Sequence, residues 1–437
     1  MDNLKHIKAI NDHAFKPHAL QRAVASVNIV EARMLLSNNA DPNERGEYYG
    51  DPLSAAAFCC IDCPEIIKAL LEHGASPNSP GGERYGPPLS AAAAAGNIAA
   101  ARFLLDAGAD VNARGGRSQT ALQAVVVGHG DRALELAGLL LDWGADATVT
   151  GGELHSALCA AFRCCSVDGG VRSLLLERTL RQRPGKELLH RALAQAASVG
   201  DLASVRRLAE AGADVNVLSE AAESRDSDVL RFLLDRGADA NRIGGNFGTA
   251  LAAAAYLGPD KNFELLLERG SNVNVAIGKY GSPLQAAAYA GNHEYVKSLL
   301  SRGADISVGG GDLGLPLHAA VYSGSTNVVK ELLDAGSDVN AEAGQGGTAL
   351  QVACAEGSMD LVVLLIDRGA DINTVAGFVG SALAAAIRGG HIHIAEFLLD
   401  HGADPYLQFQ EGKDALSEAK YWADPAIVKL IIDRIML

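Results

Sequence analysis

Short alanine-and-leucine phrases alternate along this chain with polar, glycine-rich stretches, and the alternation is regular. Aligned on the leucine of an "ALxAA" phrase, the copies fall at Leu20, Leu53, Leu89, Leu122, Leu158, Leu193, Leu218, Leu251, Leu284, Leu317, Leu350, Leu383 and Leu416. The steps are 33, 36, 33, 36, 35 and 25 residues, then 33 six times. A repeat of this length is the mark of a solenoid, in which each unit buries its apolar face against its neighbours.

Each regular unit predicts a glycine-rich turn, a short Ala-rich helix, a Gly, a second helix ending "LLxxG", and the phrase "ADxN". Alanine suits the first helix because it costs no side-chain entropy and lets neighbouring helices approach closely. Paired leucines such as Leu233-Leu234, Leu299-Leu300 and Leu398-Leu399 should fill the space between units. Gly237 and Gly402 follow the second helix where a C-cap needs positive φ. The Asp and Asn after them suit a turn.

A 33-residue unit of this kind resembles the ankyrin repeat, and Leu315 to Ala320, "LPLHAA", is close to that family's "TPLHxA" phrase. The resemblance implies an all-α ankyrin-repeat solenoid of about thirteen helix-turn-helix units with β-hairpin fingers. It also implies that fingers and first helices line a concave face while second helices form the back. The finger phrases "GGERYGPPL" and "GKYGSPL" resemble those of glycine-rich ankyrin arrays in filamentous fungi, which are often joined to signalling domains. Tyr85, Phe247 and Tyr280 in these phrases are expected to brace neighbouring finger tips.

The period divides the chain into irregular repeats with a cap (1–184), transition repeats (185–249) and regular repeats with a C-terminal cap (250–437). Extra residues enter around "FCCIDCPE" and "VVVGHGDRALELAG", and the unit at Leu158 runs into "ERTLRQRPGK" where "GAD" is expected. The unit at Leu218 is eight residues short yet keeps both helices, so its hairpin should be missing, leaving a notch.

The fifth residue after each landmark leucine should end the first helix on the groove side. That column contains Tyr256, Tyr289 and Tyr322 in three successive units, and Tyr421 in the last. Spaced about 10 Å apart at ordinary helix-packing distance, the three tyrosines would form a ladder. Large, rigid and polar-tipped, they suit the anchoring of a partner. Beside the notch, His190 is expected on a hairpin flank, with Glu220 and Glu223 one helical turn apart on the next first helix. Two such carboxylates could hold a basic segment. With Tyr256, the histidine and the glutamates also form the one constellation from which an enzyme or small-molecule receptor could be built.

Composition narrows the partners. The formal net charge is -15, concentrated in the second half, which disfavours a phosphate-tracking nucleic-acid binder. One basic patch, "RTLRQRPGKELLHR" from Arg178, interrupts it. No long apolar run predicts a membrane span, and the first twenty residues lack the apolar core of an export signal. Seven unevenly spaced cysteines fit reduced thiols in the cytoplasm or nucleus. Cys60 and Cys63 form half of a zinc-like pair, but Cys164 and Cys165 lie three units away, so no metal is expected. His391 and His393 point about 200° apart on a helix and have no third ligand. No phosphate-loop, nucleophile or metal signature appears, and no cofactor is implied. The sequence thus predicts a non-catalytic scaffold for another protein or peptide, basic or amphipathic in character. The apolar ending "AIVKLIIDRIML" adds the alternative of a recognition segment within a larger signalling protein, its last helix requiring cover.

Overall fold

The computed structural model describes residues 18–46, 48–61, 63–128, 132–164, 168–409, 412–422 and 425–435. The start of the chain, read above as lacking an export segment, and Cys165 lie outside the described residues. The chain falls into two compact units, Met1–Asp214 and Val215–Leu437. Their division lies within the interval 185–249 that the period marks as transitional.

Every landmark leucine sits on an inner helix that is followed by an outer helix, from Ala19–Ala25 with Ile29–Ser37 to Ala415–Tyr421 with Pro425–Ile435. Local chemistry starts the inner helices. Proline at the first helical turn opens several, including Pro283–Tyr289 and Pro316–Tyr322. Capping boxes close the first turn at Thr120 with Gln123, Ser282 with Gln285 and Thr348 with Gln351. Most outer helices end on glycines in the left-handed region, with φ of 86° at Gly237 and 90° at Gly402.

The core is thin and continuous within each unit. Ala252 to Ala255 are fully buried, so adjacent inner helices meet backbone to backbone. Of the paired leucines, Leu233, Leu299 and Leu398 are completely buried, whereas Leu234, Leu300 and Leu399 lie at the edge of the core. Among the described residues no helix is long and apolar enough to cross a membrane.

The fingers are smaller than the expected β-hairpins. Among the described residues they contain no extended strand, only turns closed by isolated antiparallel bridges such as Glu342 with Thr348 and Ala376 with Gly380. Their glycines explain this, since residues with no side chain to pack weaken a strand and favour a tight turn.

A side-chain staple ties successive fingers together at their base. In the "ADxN" phrase, Asn373 donates to the Gly402 carbonyl at 3.0 Å and accepts from the Asp404 amide at 2.8 Å. Asn340 does the same with Gly369 and Asp371, and Asn274 with Gly303 and Asp305. Ser307 occupies this column one unit on and instead hydrogen-bonds its own neighbour Asp305. A second tie comes from the residue after the landmark leucine. Buried Gln285 donates to the carbonyls of Gly310 and Gly314 in the following finger, and His318 occupies the same column, its Nε2 3.0 Å from the Gly347 carbonyl.

The irregular part of the first unit keeps helix pairing by other means. Where "GAD" is lost, the outer helix Gly169–Arg181 and inner helix Lys186–Ser198 each extend to 13 residues. Gln182 then supplies the missing staple backwards, accepting from the Ala147 amide at 2.8 Å and donating to the Ala145 carbonyl at 3.2 Å. In the second unit the inner helix Leu218–Glu223 follows the preceding segment without a finger.

Candidate functional site

The inner helix Ala250–Leu257 starts on Thr249, whose hydroxyl accepts from the Ala252 amide, and carries Tyr256 near its end. The next inner helix ends on Tyr289. Their rings stack with centroids 6.0 Å apart. The spacing is well under the 10 Å expected of a ladder because the side chains lean together across the unit boundary.

Two finger residues join them. Phe247 lies 5.5 Å from Tyr256 and 5.2 Å from Tyr280, while Tyr280 stacks on Tyr256 at 4.4 Å and meets Tyr289 at 5.8 Å. Phe247 is buried, and the three tyrosines are half-buried. The Nζ of Lys279 lies 5.4 Å from the centre of the Tyr280 ring. Hydrogen bonding to Tyr280, aided by burial, holds the Tyr256 phenol above its usual pKa. Tyr280, expected only to brace a finger tip, is therefore at the centre of a four-ring surface.

Tyr322 departs from the expected ladder. Among the described residues it makes no ring contact with Tyr289; it stands beside a separate cleft between the turns Gly311–Leu313 and Gly344–Gly346. Tyr421 lies at the far end of this unit, 75 % exposed, edge-on to Trp422 at 5.5 Å and with the Lys413 ammonium 5.7 Å from its ring centre. The tyrosine column thus presents three different environments.

Glu220 and Glu223 share the helix Leu218–Glu223, as the spacing predicts, and both are half-buried. Burial, with the charge of Glu220 as a smaller cause, raises the Glu223 pKa above the ordinary carboxylate value. Gly245 of the following finger sits so close to this helix that a Cβ there would meet the Ser219 Oγ at 2.5 Å. This pair is a compact acidic feature of the second unit.

His190 does not occupy a hairpin flank. It belongs to the first unit and lies inside the helix Lys186–Ser198, with Nδ1 3.3 Å from the Asp214 carbonyl. Loss of the finger let this helix grow backwards through "KELLHR". Much of the basic patch around it is paired: Arg178 with Asp142, Arg181 with Glu177 and Arg191 with Glu187.

The first unit contains an aromatic surface that the tyrosine column alone misses. Tyr49 and Tyr85 stack at 5.9 Å, Phe58 lies 4.1 Å from Tyr85, and Arg84 sits 5.3 Å over the Tyr85 ring. Tyr49, Tyr85, Phe247 and Tyr280 all lie four residues before a landmark leucine, which is the signal that would have found both clusters. Nearby, burial and the neighbouring Cys59 and Cys63 push the Cys60 thiol up to about 12, so it is an unreactive core group.

Comparison with known families accords with this architecture. A model described as ankyrin repeats matches residues 20–115, 218–310 and 309–376, and a single ankyrin-repeat model matches residues 381–408. No curated protein matches the chain. The matched stretches cover more than half of the chain and include repeats from both units. This chain belongs to the ankyrin-repeat family, whose repeats are protein-interaction modules.

Proposed function

We propose that the chain is a non-catalytic protein-interaction scaffold whose partner lies along the inner-helix and finger side of the second unit. Tyr256, Tyr280 and Tyr289 provide the anchors, and Glu220 and Glu223 select a partner segment that is basic or amphipathic. The carrying observation is the four-ring cluster with Phe247. Its tyrosines lie outside a core that alanine and leucine already fill, keeping part of their ring surface available. Such groups bury large area at low entropic cost and concentrate binding energy in a few residues. The acidic pair adds steering, which chiefly affects association rate and selectivity. The free thiols fit a scaffold of the cytoplasm or nucleus.

Affinity capture should compare the natural chain with Tyr256→Ala/Tyr289→Ala, matched for thermal stability. A partner retained by the first and lost from the second supports the reading. A partner held equally by both removes this surface from the function.

A further inference from the structure

Twice among the described residues, the ring at the end of an inner helix is paired with a ring from the next finger. Phe58 pairs with Tyr85 at 4.1 Å, and Tyr256 with Tyr280 at 4.4 Å. In both cases the finger ring follows a basic residue that lies over it, Arg84 at 5.3 Å and Lys279 at 5.4 Å. Tyr322 occupies the same inner-helix position, but the residue four before the next landmark leucine is Gly346.

Beside Gly346, between the two turns, lies a cleft of about 390 Å³. Tyr322, Asp312, Leu313 and Ala343 line it together with glycines of the two turns. Tyr322 is 37 % exposed, and its hydroxyl and the Val352 Cγ2 crowd the Cβ side of Gly346, at 3.0 and 2.9 Å from where a Cβ would stand. The volume is at the lower end of ligand sites, enough for a side chain or two rather than a large cofactor.

Two further observations bear on the occupant. Asp312 at the cleft and the charge of Glu356 acting on Tyr322 make the surroundings acidic. The fingers on either side are also the pair that lacks the asparagine staple, because Ser307 bonds to Asp305 within its own turn. They therefore lack one of the two ties that join other successive fingers of this unit, and keep the one from His318 to the Gly347 carbonyl.

We propose that this cleft receives an aromatic side chain from a partner protein segment in which Lys or Arg precedes the aromatic residue. The ring seats on Tyr322, as Tyr280 does on Tyr256, and the cation lies near Asp312. This deepens the scaffold reading and rests on it for the class of ligand, but it uses a different part of the second unit.

The test is a ligand-observed NMR titration of the full chain with acetyl-Gly-Lys-Tyr-Gly-amide. Saturable binding is expected, weakened about tenfold by Tyr322→Ala and by replacing the peptide lysine with glutamate. Asp312→Lys, at an exposed carboxylate of the cleft, should weaken the peptide to a similar extent; this variant keeps Tyr322 and guards against a folding defect in Tyr322→Ala. Tyr256→Ala/Tyr289→Ala should leave peptide binding unchanged. No binding at millimolar peptide, or binding undiminished in Tyr322→Ala and Asp312→Lys, overturns the cleft while leaving capture on Tyr256 and Tyr289 to stand or fall separately. Self-association of the chain abolished by Tyr322→Ala would overturn it in favour of a second copy.

Discussion

Tyr256 and Tyr280 come from different repeats, 24 residues apart, yet their rings stack at 4.4 Å and their hydroxyls are hydrogen-bonded. One is at the end of an inner helix and the other at a finger tip, so the contact joins one unit to the next. Buried aromatic pairs couple by about 0.5–1.5 kcal/mol beyond their area. A double-mutant cycle of Tyr256→Ala and Tyr280→Ala in urea unfolding should therefore show a coupling of about 0.5 kcal/mol, reduced by exposure. Strict additivity would mean that the stacked geometry contributes nothing to stability.

The asparagine staple makes a separate prediction. Asn373→Ala removes one donor and one acceptor that link successive fingers, at 3.0 and 2.8 Å. At about 0.5–1.5 kcal/mol per hydrogen bond, discounted for solvent access, the loss should be about 1 kcal/mol. Ser307→Asn should change stability in the opposite direction by building the tie between two fingers that lack it. Denaturation midpoints at unchanged slope would check both; a destabilising Ser307→Asn would show that the base of this finger pair cannot accept the longer side chain.

Much of this was legible from the sequence because it depends on local pattern. The landmark leucines located the inner helices, and "LLxxG" located the outer ones, since apolar spacing and glycine caps act within a few residues. Longer-range relations were not visible in the same way. Tyr280 belongs to a different column from Tyr256, and only stacking of the units brings the two together. Gln182 replaces an asparagine staple from the opposite side of the joint, so a search for "ADxN" cannot find it. His190 was misplaced because the 33-residue frame was carried into a unit whose finger had been replaced by helix.

Glu223 should destabilise the free protein at neutral pH. Burial first, and Glu220 second, raise its pKa, so its contribution is favourable when protonated and is lost as pH rises through the folded-state value. Glu223→Gln should therefore stabilise the chain at pH 7 by a few tenths of a kcal/mol, allowing for solvent screening. The gain should shrink toward zero below about pH 4, where the unfolded carboxyl is also protonated. Urea unfolding of both proteins at pH 4 and pH 7 measures it. A Glu223→Gln variant less stable at pH 7 would mean that the carboxylate is held by favourable contacts; the expected result would mark it as an acid kept at some expense of stability.

His318 should give the opposite pH trend. Its imidazole is buried, and desolvation lowers its pKa despite the bond to the Gly347 carbonyl. Near pH 7 the ring is neutral in both folded and unfolded chains, so its contribution is fully present. Below the unfolded value of about 6.5, the unfolded chain gains a proton that the folded chain resists, and stability falls by at most about 1.4 kcal/mol per pH unit. His318→Gln isolates this effect because Gln123, Gln285 and Gln351 occupy the same column and donate to carbonyls of the following finger. Unfolding free energies measured from pH 7.5 to pH 5.5 should show the variant gaining on the natural chain as pH falls, while other histidines cancel in the difference. A constant difference would mean that the His318 ring takes up its proton equally in the folded state, and the finger beyond Gly347 must then open far enough to let water reach it.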